Sequence, residues 1–358
     1  MKKILLIAPS IGKVGGAERT AALLANSLTE NDHFRFTLCL TYARDNEFDL
    51  NSKINKVYLP NKPLFKLLYR LNALSDLYKQ NAYDLVVGYT IIGGILACLF
   101  KMIYCRSAKV IVCERQDPNA FSILYRLIRN VSYRYSDGAV FQTTDAQKYF
   151  KRICSDSIVI PNFINTRNLP PIIPYTKKKN TIISVGRLEK VKNHDMVIRS
   201  FSIVSRLFPA WDLYIYGEGS EKENLMNLIR QLEIEKKVFL PGYDSNVIGS
   251  ISNSKILILA SKYEGYPNAL LEGMACGSFC ISSDCPCGGP RDMIQNGENG
   301  FLIPDIDENK IVELLVKYMN DERQAAAIAS NALKIRERNS VTVIIDRWAS
   351  YFDKIISR

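Results

Sequence analysis

KILILASKYEGYPNALLEGMACG, residues 255–277, joins a short apolar run to a segment of helical character through a polar turn. The apolar run is rich in Ile and Leu and ends at a Ser-Lys-Tyr turn, which is typical of a buried strand. A helix is predicted to begin near Pro267, because proline favours the first turn of a helix. The stretch therefore predicts one strand-to-helix unit of a parallel sheet that is covered by helices.

The same alternation of strand and helix recurs along the whole chain. The apolar runs KILLIAP, DLVVGY, KVIVCE and GAVFQ precede helical segments in the first half, and TIISVG, DLYIYGEG, KVFLPG and KILILAS follow in the second. The alternation pauses at residues 161–180, PNFINTRNLPPIIPYTKKKN, where four prolines and three lysines indicate a linker. The pattern predicts an α/β protein of two doubly wound, Rossmann-like domains that face each other across a cleft.

The length of the chain also favours two domains. Its 358 residues exceed the size at which a single hydrophobic core usually stops growing. We expect an N-terminal domain at residues 1–170 and a second domain at residues 171–340. Residues 341–358 show the apolar spacing of a helix, and we expect this helix to pack back towards the N-terminal domain.

Composition indicates a globular protein of the cytoplasm. Hydrophobic residues make up 47% of the chain and charged residues 23%, as in ordinary globular proteins. The longest apolar run, YTIIGGILACLF, is too short to span a bilayer, and MKKILLIAPSIGKVGG runs into a glycine loop rather than a signal-peptide cleavage site. Nine cysteines without the spacing of a disulfide scaffold indicate reduced thiols.

The formal net charge of +11 is concentrated in the first half of the chain. Residues 1–170 contain 23 Lys and Arg against 13 Asp and Glu, whereas residues 171–358 contain 24 against 23. This asymmetry indicates an anionic partner for the first half, such as a membrane surface, a phosphorylated substrate or nucleic acid, unless it only maintains solubility. Nucleic acid is disfavoured, because the interleaved basic and aromatic residues that bind it are absent.

Two cations follow the first strand of the second half. Arg187 and Lys192 lie in RLEKVKN, between the strand TIISVG and the next predicted helix. Ligands of open α/β sheets bind beyond the carboxyl ends of the strands, and cations beside a helix N-terminus suit a diphosphate there. The alternative for such a pair is an ordinary solvated surface.

Two acids accompany the helix start at Pro267. Glu264 precedes the helix and Glu272 lies within it, so the acids flank the first-turn amides of residues 268–270. One acid near a helix start would only stabilise the helix. Paired acids around backbone N–H donors fit a ligand with both phosphate and hydroxyl groups, and a nucleotide sugar has both.

The motifs VGRLEKVKN, GEGSEKENL and YEGYPNALLEGMACG together resemble the C-terminal domain of retaining glycosyltransferases of family 4, which have the GT-B fold. The two glutamates match the E-x7-E motif of that family, and IAPSIGKVGGAER resembles its N-terminal glycine loop. The resemblance spans nearly the whole chain, and E-x7-E in its Pro-Asn-Ala context is the most specific part. It implies an N-terminal domain that binds the acceptor and a C-terminal domain that binds a nucleotide-sugar donor, taken to be a UDP-sugar.

The resemblance also implies a role for each matching residue. Arg187 and Lys192 would neutralise the donor diphosphate as the leaving nucleotide gains charge. Glu272 would bond the ribose hydroxyls, and Glu264 would bond hydroxyls of the transferred sugar. The other implied donor-binding positions are Gly15, Gly16 and Glu18 in the N-terminal loop, Gly217, Gly219 and Gly242 beside the nucleobase, and Gly265, Tyr266, Pro267, Asn268, Ala269 and Leu270 at the helix start.

The loop ERQDP departs from the family pattern, in which many members carry a histidine that faces the sugar. Here Arg115 occupies that position, and neither His33 nor His194 is placed to substitute. A permanently charged arginine can bind sugar or acceptor but cannot act as a base, whereas Asp117 or Glu114 could. The resemblance implies that the departing phosphate takes the acceptor proton, so the missing histidine is tolerable.

No metal or other cofactor is expected besides the donor. The one Asp-x-Asp sequence, Asp305 to Asp307, is interpreted as a helix N-cap. The cysteines of CGSFCISSDCPC, residues 276–287, lack the paired C-x2-C spacing of zinc sites. They are predicted to be small apolar residues of a buried helix and strand.

Two basic amphipathic segments of the first half bear on the acceptor. The first segment is residues 61–80, NKPLFKLLYRLNALSDLYKQ. Its apolar face either contacts anionic lipid headgroups or packs on the sheet, and the sequence leaves both open. One face is predicted to carry Leu64, Leu67, Leu68, Leu71 and Leu74, with Lys62, Lys66 and Arg70 elsewhere. Residues 121–135, FSILYRLIRNVSYRY, are predicted to pack their apolar face on their own sheet.

Three activities are compatible with these features. The favoured one is transfer of a hexose or N-acetylhexosamine to a lipid-linked or polysaccharide acceptor of a cell-surface glycan, such as capsule or O-antigen, by an enzyme peripheral to the inner face of the cytoplasmic membrane. A lipid-diphosphate-linked acceptor would unite the basic half with the donor chemistry. Transfer to a small soluble acceptor and epimerisation of a sugar nucleotide on a similar fold are the alternatives.

Overall fold

The computed structural model describes residues 1–13, 15–30, 32–61, 65–304 and 307–358, without the side chain of residue 167. The chain divides into two compact units. Unit 1 comprises residues 1–163 together with 341–358, and unit 2 comprises residues 164–340. The C-terminal segment is therefore part of the unit that contains the N-terminus.

Strands and helices alternate through both units. The strands are β1 Lys2–Ala8, β2 Phe34–Leu40, β3 Asn55–Tyr58, β4 Leu85–Gly88, β5 Val110–Glu114, β6 Gly138–Phe141, β7 Ser157–Val159, β8 Lys179–Val185, β9 Asp212–Tyr216, β10 Val238–Gly242, β11 Ser254–Leu259, β12 Phe279–Ser283 and β13 Phe301–Ile303. The helices are α1 Gly16–Thr29, α2 Lys66–Asn81, α3 Ile91–Ile103, α4 Ile123–Tyr133, α5 Thr144–Phe150, α6 His194–Leu207, α7 Lys222–Gln231, α8 Val247–Asn253, α9 Asn268–Ala275, α10 Gly289–Met293, α11 Glu308–Asn320, α12 Glu322–Ala332, α13 Ile335–Arg338 and α14 Val341–Ile356.

Unit 1 contains a parallel sheet of seven described strands in the order β3-β2-β1-β4-β5-β6-β7. The central strands are apolar on both faces because helices cover both sides of the sheet. α3 packs on β4 and β5, and a side chain on Gly88 would collide with the backbone of Gly94 in α3. The strand order reverses between β1 and β4, which leaves a crevice at the carboxyl ends of these two strands.

The last helix, α14, completes the core of unit 1. Its side chains Trp348, Phe352 and Ile355 are buried in one cluster with residues of α1 and β2. The Tyr351 hydroxyl accepts a hydrogen bond of 3.0 Å from the Ala139 amide of β6. An ion pair of 2.7 Å joins Lys2 of β1 to Asp353. The first and last segments of the chain are thereby packed together.

Unit 2 repeats the doubly wound plan with six described parallel strands in the order β10-β9-β8-β11-β12-β13. In the register, Ile256 of β11 lies opposite Ile182 of β8 and Phe279 of β12. α9 approaches the sheet closely, because a side chain on Gly273 would collide with Leu257 of β11. The order reverses between β8 and β11, so the crevice of this unit lies at the carboxyl ends of those strands.

The predicted apolar face of α2 is divided between the core and the solvent. Leu71 and Leu74 are buried, whereas Leu67 and Leu68 are exposed to solvent. Arg70 is buried and donates a hydrogen bond of 3.0 Å to the Thr41 carbonyl. Residues 62–64, which include the predicted Lys62 and Leu64, lie outside the described residues.

α4 reverses the predicted orientation of its apolar face. The expectation that this face packs on the sheet is wrong, since Ile123, Leu124 and Leu127 are all exposed. The buried residues of the helix are Arg129, Ser132 and Tyr133. The physical reason is a buried polar network around Arg129 that holds this side of the helix inward.

None of the helices in the described parts of the chain has the length and apolar character that crossing a membrane requires.

Candidate active site

The carboxyl ends of β8 and β11 place the two motifs of unit 2 side by side. β8 and β11 are hydrogen-bonded neighbours although many residues separate them in sequence. The loop after β8 carries Arg187 and Lys192, and the loop after β11 carries Glu264. The Lys262 amide donates a hydrogen bond of 2.8 Å to the Val191 carbonyl, which joins the two loops through their backbones.

An ion pair joins these loops through their side chains as well. Lys192 Nζ lies 2.5 Å from Glu264 Oε1, with only 18% of the lysine and 13% of the glutamate side chain exposed. The aliphatic part of Lys192 passes over the backbone of Gly186, where a Cβ would lie 3.3 Å from Lys192 Cδ. Two sequence-predicted site residues, 72 positions apart, are therefore in direct contact.

Arg187 lies in the same loop, but it is more exposed than Lys192 and pairs with a different acid. Its side chain is 64% exposed and Nη1 contacts Glu189 Oε1 at 2.7 Å. An exposed ion pair of this kind contributes little to stability, because water and salt screen it. Arg187 can therefore exchange Glu189 for another anion at small cost.

The loop after β11 leads directly into α9. The helix begins at Asn268, as predicted, with Pro267 as its N-cap and no side-chain hydrogen bond at that cap. The amides of the first helical turn have no acceptor within the helix, and the helix dipole adds a partial positive charge there. This end of α9 has the donor groups and the polarity that suit a phosphate or a hydroxyl oxygen.

The two acids of the motif are held by different parts of this unit. Glu264 precedes α9 in the loop, and Glu272 lies in the second turn of the helix. Glu272 is buried, with 7% exposure. The sequence prediction that one acid lies before the helix and one within it is confirmed.

Tyr266 contributes its backbone, rather than its ring, to the surface near α9. The ring is buried among apolar side chains, and the hydroxyl accepts a hydrogen bond of 2.9 Å from Asn339 Nδ2. Burial raises the pKa of this hydroxyl to about 12. Its part in donor binding, predicted from the sequence, would have to come from its main chain.

Gly289 supports the same loop from below and was not singled out by the sequence. A side chain at Gly289 would collide with the Gly265 carbonyl and would lie 3.1 Å from Pro267 Cδ. The Gly-Gly-Pro sequence at residues 288–290 is the signal that could have drawn attention to it. A larger residue at position 289 would therefore displace the loop that leads into α9.

The predicted glycines of the neighbouring loops bring three chain segments together. Gly217 has φ of +144°, and a side chain there would collide with the Gly186 carbonyl. Its amide donates a hydrogen bond of 2.9 Å to the Gly242 carbonyl. A Cβ on Gly242, where φ is +88°, would lie 2.5 Å from Glu218 Oε1. These glycines allow the loops after β8, β9 and β10 to meet at one edge.

Glycine is required at residue 219 for a similar reason, namely a close contact with another loop. A side chain at this position would collide with the Leu188 carbonyl. The Leu188 amide donates a hydrogen bond of 2.9 Å to the Glu218 carbonyl. The loop after β8 is thus fixed against the loop after β9, which helps to hold Lys192 in place.

The predicted residues of the N-terminal loop lie at the crevice of unit 1. α1 begins at Gly16, with Gly15 as the preceding residue in extended conformation. A side chain on Gly15 would collide with the Glu18 carboxylate, so this carboxylate folds back over the loop. Contact of these three residues with a donor stays a prediction.

Arg115 follows β5 and is buried at the same edge of unit 1. Its Nη2 donates to Asn162 Oδ1 at 2.8 Å, and its guanidinium carbon lies 4.6 Å from the ring centroid of Tyr89. The ring and the amide together fix the orientation of the guanidinium. Its binding of sugar or acceptor stays a prediction.

The two acids considered as bases are held in buried networks. Glu114 Oε2 lies 3.3 Å from Nη1 of Arg129, and both side chains are almost fully buried. Burial raises the pKa of Glu114 to about 7, and the Arg129 guanidinium only partly offsets this effect. Asp117 is buried too, and it accepts a hydrogen bond of 2.9 Å from the Asn119 amide.

Both histidines have structural positions. His33 Nε2 contacts Asp353 at 3.1 Å in unit 1. His194 is buried at the start of α6, 3.3 Å from Ser184 Oγ, and burial lowers its pKa to about 4. Neutral His194 therefore helps to anchor α6 behind the loop of Lys192.

The predicted helix cap at Asp307 is confirmed, since its side chain accepts a hydrogen bond of 2.9 Å from the Asn309 amide. Asp305 lies outside the described residues. Cys276, Cys280 and Cys285 are buried, and burial raises the pKa of Cys276 to about 11. In the described ranges, no three His, Cys, Asp or Glu side chains are grouped as metal ligands would be.

The chain is similar to known glycosyltransferases in sequence and in fold. Residues 165–335 match the family model described as glycosyl transferases group 1. The chain is 25% identical over 354 residues to an uncharacterized glycosyltransferase of Haemophilus influenzae, covering 97% of this chain and 99% of that protein. HepE from Anabaena, in a crystal structure with UDP, has a TM-score of 0.81 at 19% identity, with 99% of this chain and 100% of that chain covered.

A third relative matches a shorter region. It is the N-acetylgalactosamine-N,N'-diacetylbacillosaminyl-diphospho-undecaprenol 4-alpha-N-acetylgalactosaminyltransferase of Campylobacter jejuni, 34% identical over 155 residues. The match covers 43% of this chain and 41% of that protein.

These comparisons confirm the sequence prediction of a glycosyltransferase with the GT-B fold. The residues that match the model of glycosyl transferases group 1, 165–335, lie within unit 2.

Proposed function

We propose that this protein is a retaining glycosyltransferase of family 4 that transfers a hexose or N-acetylhexosamine from a UDP-sugar. The acceptor is a lipid-linked saccharide or polysaccharide of a cell-surface glycan. The observation that carries the proposal is the Lys192–Glu264 ion pair at the reversal point of the sheet in unit 2. Ligands of doubly wound sheets bind at this point.

The ion pair gives the donor a specific way to bind. A diphosphate competes with the Glu264 carboxylate for Lys192, since both are anions and the phosphate carries more charge. Once Lys192 turns to the diphosphate, Glu264 is released to accept hydrogen bonds from hydroxyls of the sugar. Arg187, whose partner Glu189 is exposed, adds a second cation at small cost.

The start of α9 supplies the remaining contacts. The amides of Ala269 and Leu270, in the first turn of α9, donate hydrogen bonds to oxygen atoms of the donor in this proposal. Glu272, one turn further along, accepts hydrogen bonds from the ribose hydroxyls. The crystal structure of HepE with UDP, which has the same fold, supports a donor in which the sugar is attached to UDP.

Proton transfer in this proposal requires no protein base. The buried Glu114 is engaged by Arg129 and Asp117 by a backbone amide, which supports the departing phosphate as the proton acceptor. Electrostatic stabilisation of that phosphate by Lys192 and Arg187 is then the principal catalytic effect. We propose that no metal ion takes part.

The acceptor is proposed from the chemistry of a relative and from charge. The name of the Campylobacter jejuni relative specifies a diphospho-undecaprenol acceptor. The excess positive charge in residues 1–170 supports an anionic, lipid-linked substrate and peripheral contact with the inner face of the cytoplasmic membrane. Exposed Phe65, Leu67 and Leu68 at the start of α2 support such contact.

Screening nucleotide sugars tests the donor and the reaction together. The correct UDP-sugar should raise the melting temperature, because a ligand at 100 times its Kd stabilises the folded state by about 2.7 kcal/mol. With an acceptor and EDTA present, the product should have the same anomeric configuration as the donor in its NMR spectrum. An inverted product would contradict the proposal.

The rival activities give different products in the same assay. A sugar-nucleotide epimerase would convert the donor without any acceptor. An enzyme with a small acceptor would reach full rate on a water-soluble alcohol. Either result would replace the proposed lipid-linked or polysaccharide acceptor.

Alanine at the two motif acids should have separable effects. Glu272→Ala should weaken UDP binding about 10- to 100-fold, because hydrogen bonds from ribose to a carboxylate are lost. Glu264→Ala should leave UDP binding within about threefold and slow transfer at least tenfold, because its partners are on the sugar. Calorimetry with UDP and initial rates with the UDP-sugar measure the two effects.

The matched control for these variants is Glu298→Ala, an exposed acid of unit 2 away from α9. It should keep the wild-type affinity and rate. If Glu264→Ala and Glu272→Ala also behaved like wild type, the site assignment would be wrong.

A further inference from the structure

The apolar side of α4 faces solvent along the length of the helix. Ile123, Leu124, Leu127, Ile128 and Val131 are 70%, 69%, 57%, 46% and 55% exposed. Their spacing places them on one side of the helix, which we call the α4 face. Five large apolar side chains in a continuous stripe are more than the isolated apolar residues found on ordinary surfaces.

The opposite side of α4 fixes this orientation. Arg129 is buried, donates to the Pro118 carbonyl at 2.9 Å and contacts Glu114. Its guanidinium carbon also lies 4.6 Å from the ring centroid of Phe150 in α5. Turning the leucines inward would pull Arg129 out of these contacts, so the outward stripe is a stable feature of the fold.

α2 lies in the same layer of helices as α4. Lys66 Nζ of α2 lies 5.2 Å from the ring centroid of Tyr42. α3 packs against both helices. The exposed apolar residues of α2 and α4 therefore belong to one helical layer on one side of the sheet.

The charge around the α4 face is positive. Residues 91–134 contain seven Lys and Arg against two acids, and α4 itself contains no acid. Glu114 and Asp117 are buried, but so are Arg115 and Arg129. Lys101 is paired with Asp137, so the positive charge at the surface comes from Arg106, Lys109, Arg126 and Arg134. Arg134 is exposed at the end of the stripe, and Arg126 is partly exposed on its flank.

We infer that the α4 face inserts into the headgroup region of an anionic bilayer. Leucine and isoleucine side chains gain by leaving water, and the flanking arginines are attracted to anionic lipid. A second copy of this chain is less suited to the face, because the same arginines would then be brought together. The inference deepens the proposed function by identifying the part of unit 1 that would bring the enzyme to a lipid-linked acceptor.

Flotation of the full chain with vesicles tests the inference. The wild type should float with vesicles of phosphatidylcholine and phosphatidylglycerol at low salt, and much less with phosphatidylcholine alone. Leu124→Gln/Leu127→Gln should reduce partition at least tenfold, because two inserted side chains become polar. Arg126→Gln/Arg134→Gln should reduce binding to anionic vesicles about fivefold for each charge and weaken its salt dependence.

Ile203→Gln/Leu207→Gln is the matched control, since these two residues form an exposed apolar pair on α6 of unit 2. It should float like wild type, and circular dichroism should show that all variants are folded. Wild-type flotation by Leu124→Gln/Leu127→Gln, or no binding of the wild type to anionic vesicles, would overturn the inference. So would a concentration-dependent dimer that this variant abolishes.

The readout is independent of the proposed chemistry. Thermal stabilisation by the UDP-sugar should be the same in Leu124→Gln/Leu127→Gln and in wild type, because the donor site lies in unit 2. Loss of flotation with intact donor binding would support the α4 face. Absence of donor binding in the wild type would count against the proposed function alone.

Discussion

Replacing Lys192 with alanine should reduce the turnover number of sugar transfer about 10²- to 10³-fold. The leaving diphosphate gains negative charge in the transition state, and Lys192 is the less exposed of the two predicted cations, held by the loop after β8. Lys192 contacts the diphosphate once the donor is bound, and its attraction increases as negative charge grows in the transition state, so KM should change less than kcat. Initial rates at saturating UDP-sugar measure the loss.

Lys190→Ala is the matched control for this substitution. Lys190 is exposed in the same turn as Lys192, so its removal changes the net charge of the loop by the same amount. It should retain the wild-type rate within about twofold, as expected for a screened surface charge. A Lys192→Ala enzyme with near-wild-type turnover would show that the diphosphate lies elsewhere.

Replacing Trp348 with alanine should lower the free energy of unfolding of unit 1 by about 3–5 kcal/mol. The indole is buried, with ring centroids of Phe352 and Tyr89 at 5.5 and 6.4 Å. Removal of a large buried ring leaves a cavity that the surrounding strands and helices can only partly fill. For a domain of this size the melting temperature should fall by roughly 10 °C.

Two further variants separate the cavity effect from a general effect on α14. Trp348→Phe keeps an aromatic ring in the core and should lose less than half as much stability. Val343→Ala, at a partly exposed position of the same helix, should change stability by less than about 1 kcal/mol. Urea unfolding measures all three variants, and an equal loss for Trp348→Ala and Val343→Ala would contradict the cavity argument.

The start of α9 shows how far local sequence can determine structure. Pro267 followed by a helical pattern predicts a helix start, and α9 begins at Asn268. Glycine at residue 273 and the apolar run of β11 similarly agree with close packing of helix on strand. Local patterns succeed here because each residue's conformational preference agrees with the fold around it.

Contacts between segments that are distant in sequence could not be predicted from local patterns. The Lys192–Glu264 contact depends on β8 and β11 being neighbours, which follows from the strand order rather than from either motif. The burial of the Tyr266 ring depends on Asn339, and the need for glycine at residue 289 depends on the Gly265 carbonyl. No local pattern specifies these partners.

α4 is the clearest example of a structural feature that local sequence does not determine. Its periodicity correctly places Ile123, Leu127, Ile128 and Val131 on one side of the helix, but periodicity does not say which side faces the sheet. That choice is made by Arg129, whose partners come from β5 and α5. A strongly basic residue on the inner side is the signal that could have corrected the prediction.

The membership of α14 in unit 1 has a consequence for how the chain is made. On the ribosome, residues 1–163 are made first, yet the side chains that close their core lie in residues 341–358, which follow unit 2 in the chain. Unit 2 is continuous in sequence and can fold as soon as it has been made, whereas unit 1 cannot be completed until residues 341–358 have also been made. The nascent N-terminal segment must therefore keep an apolar surface open while the whole of unit 2 is being translated.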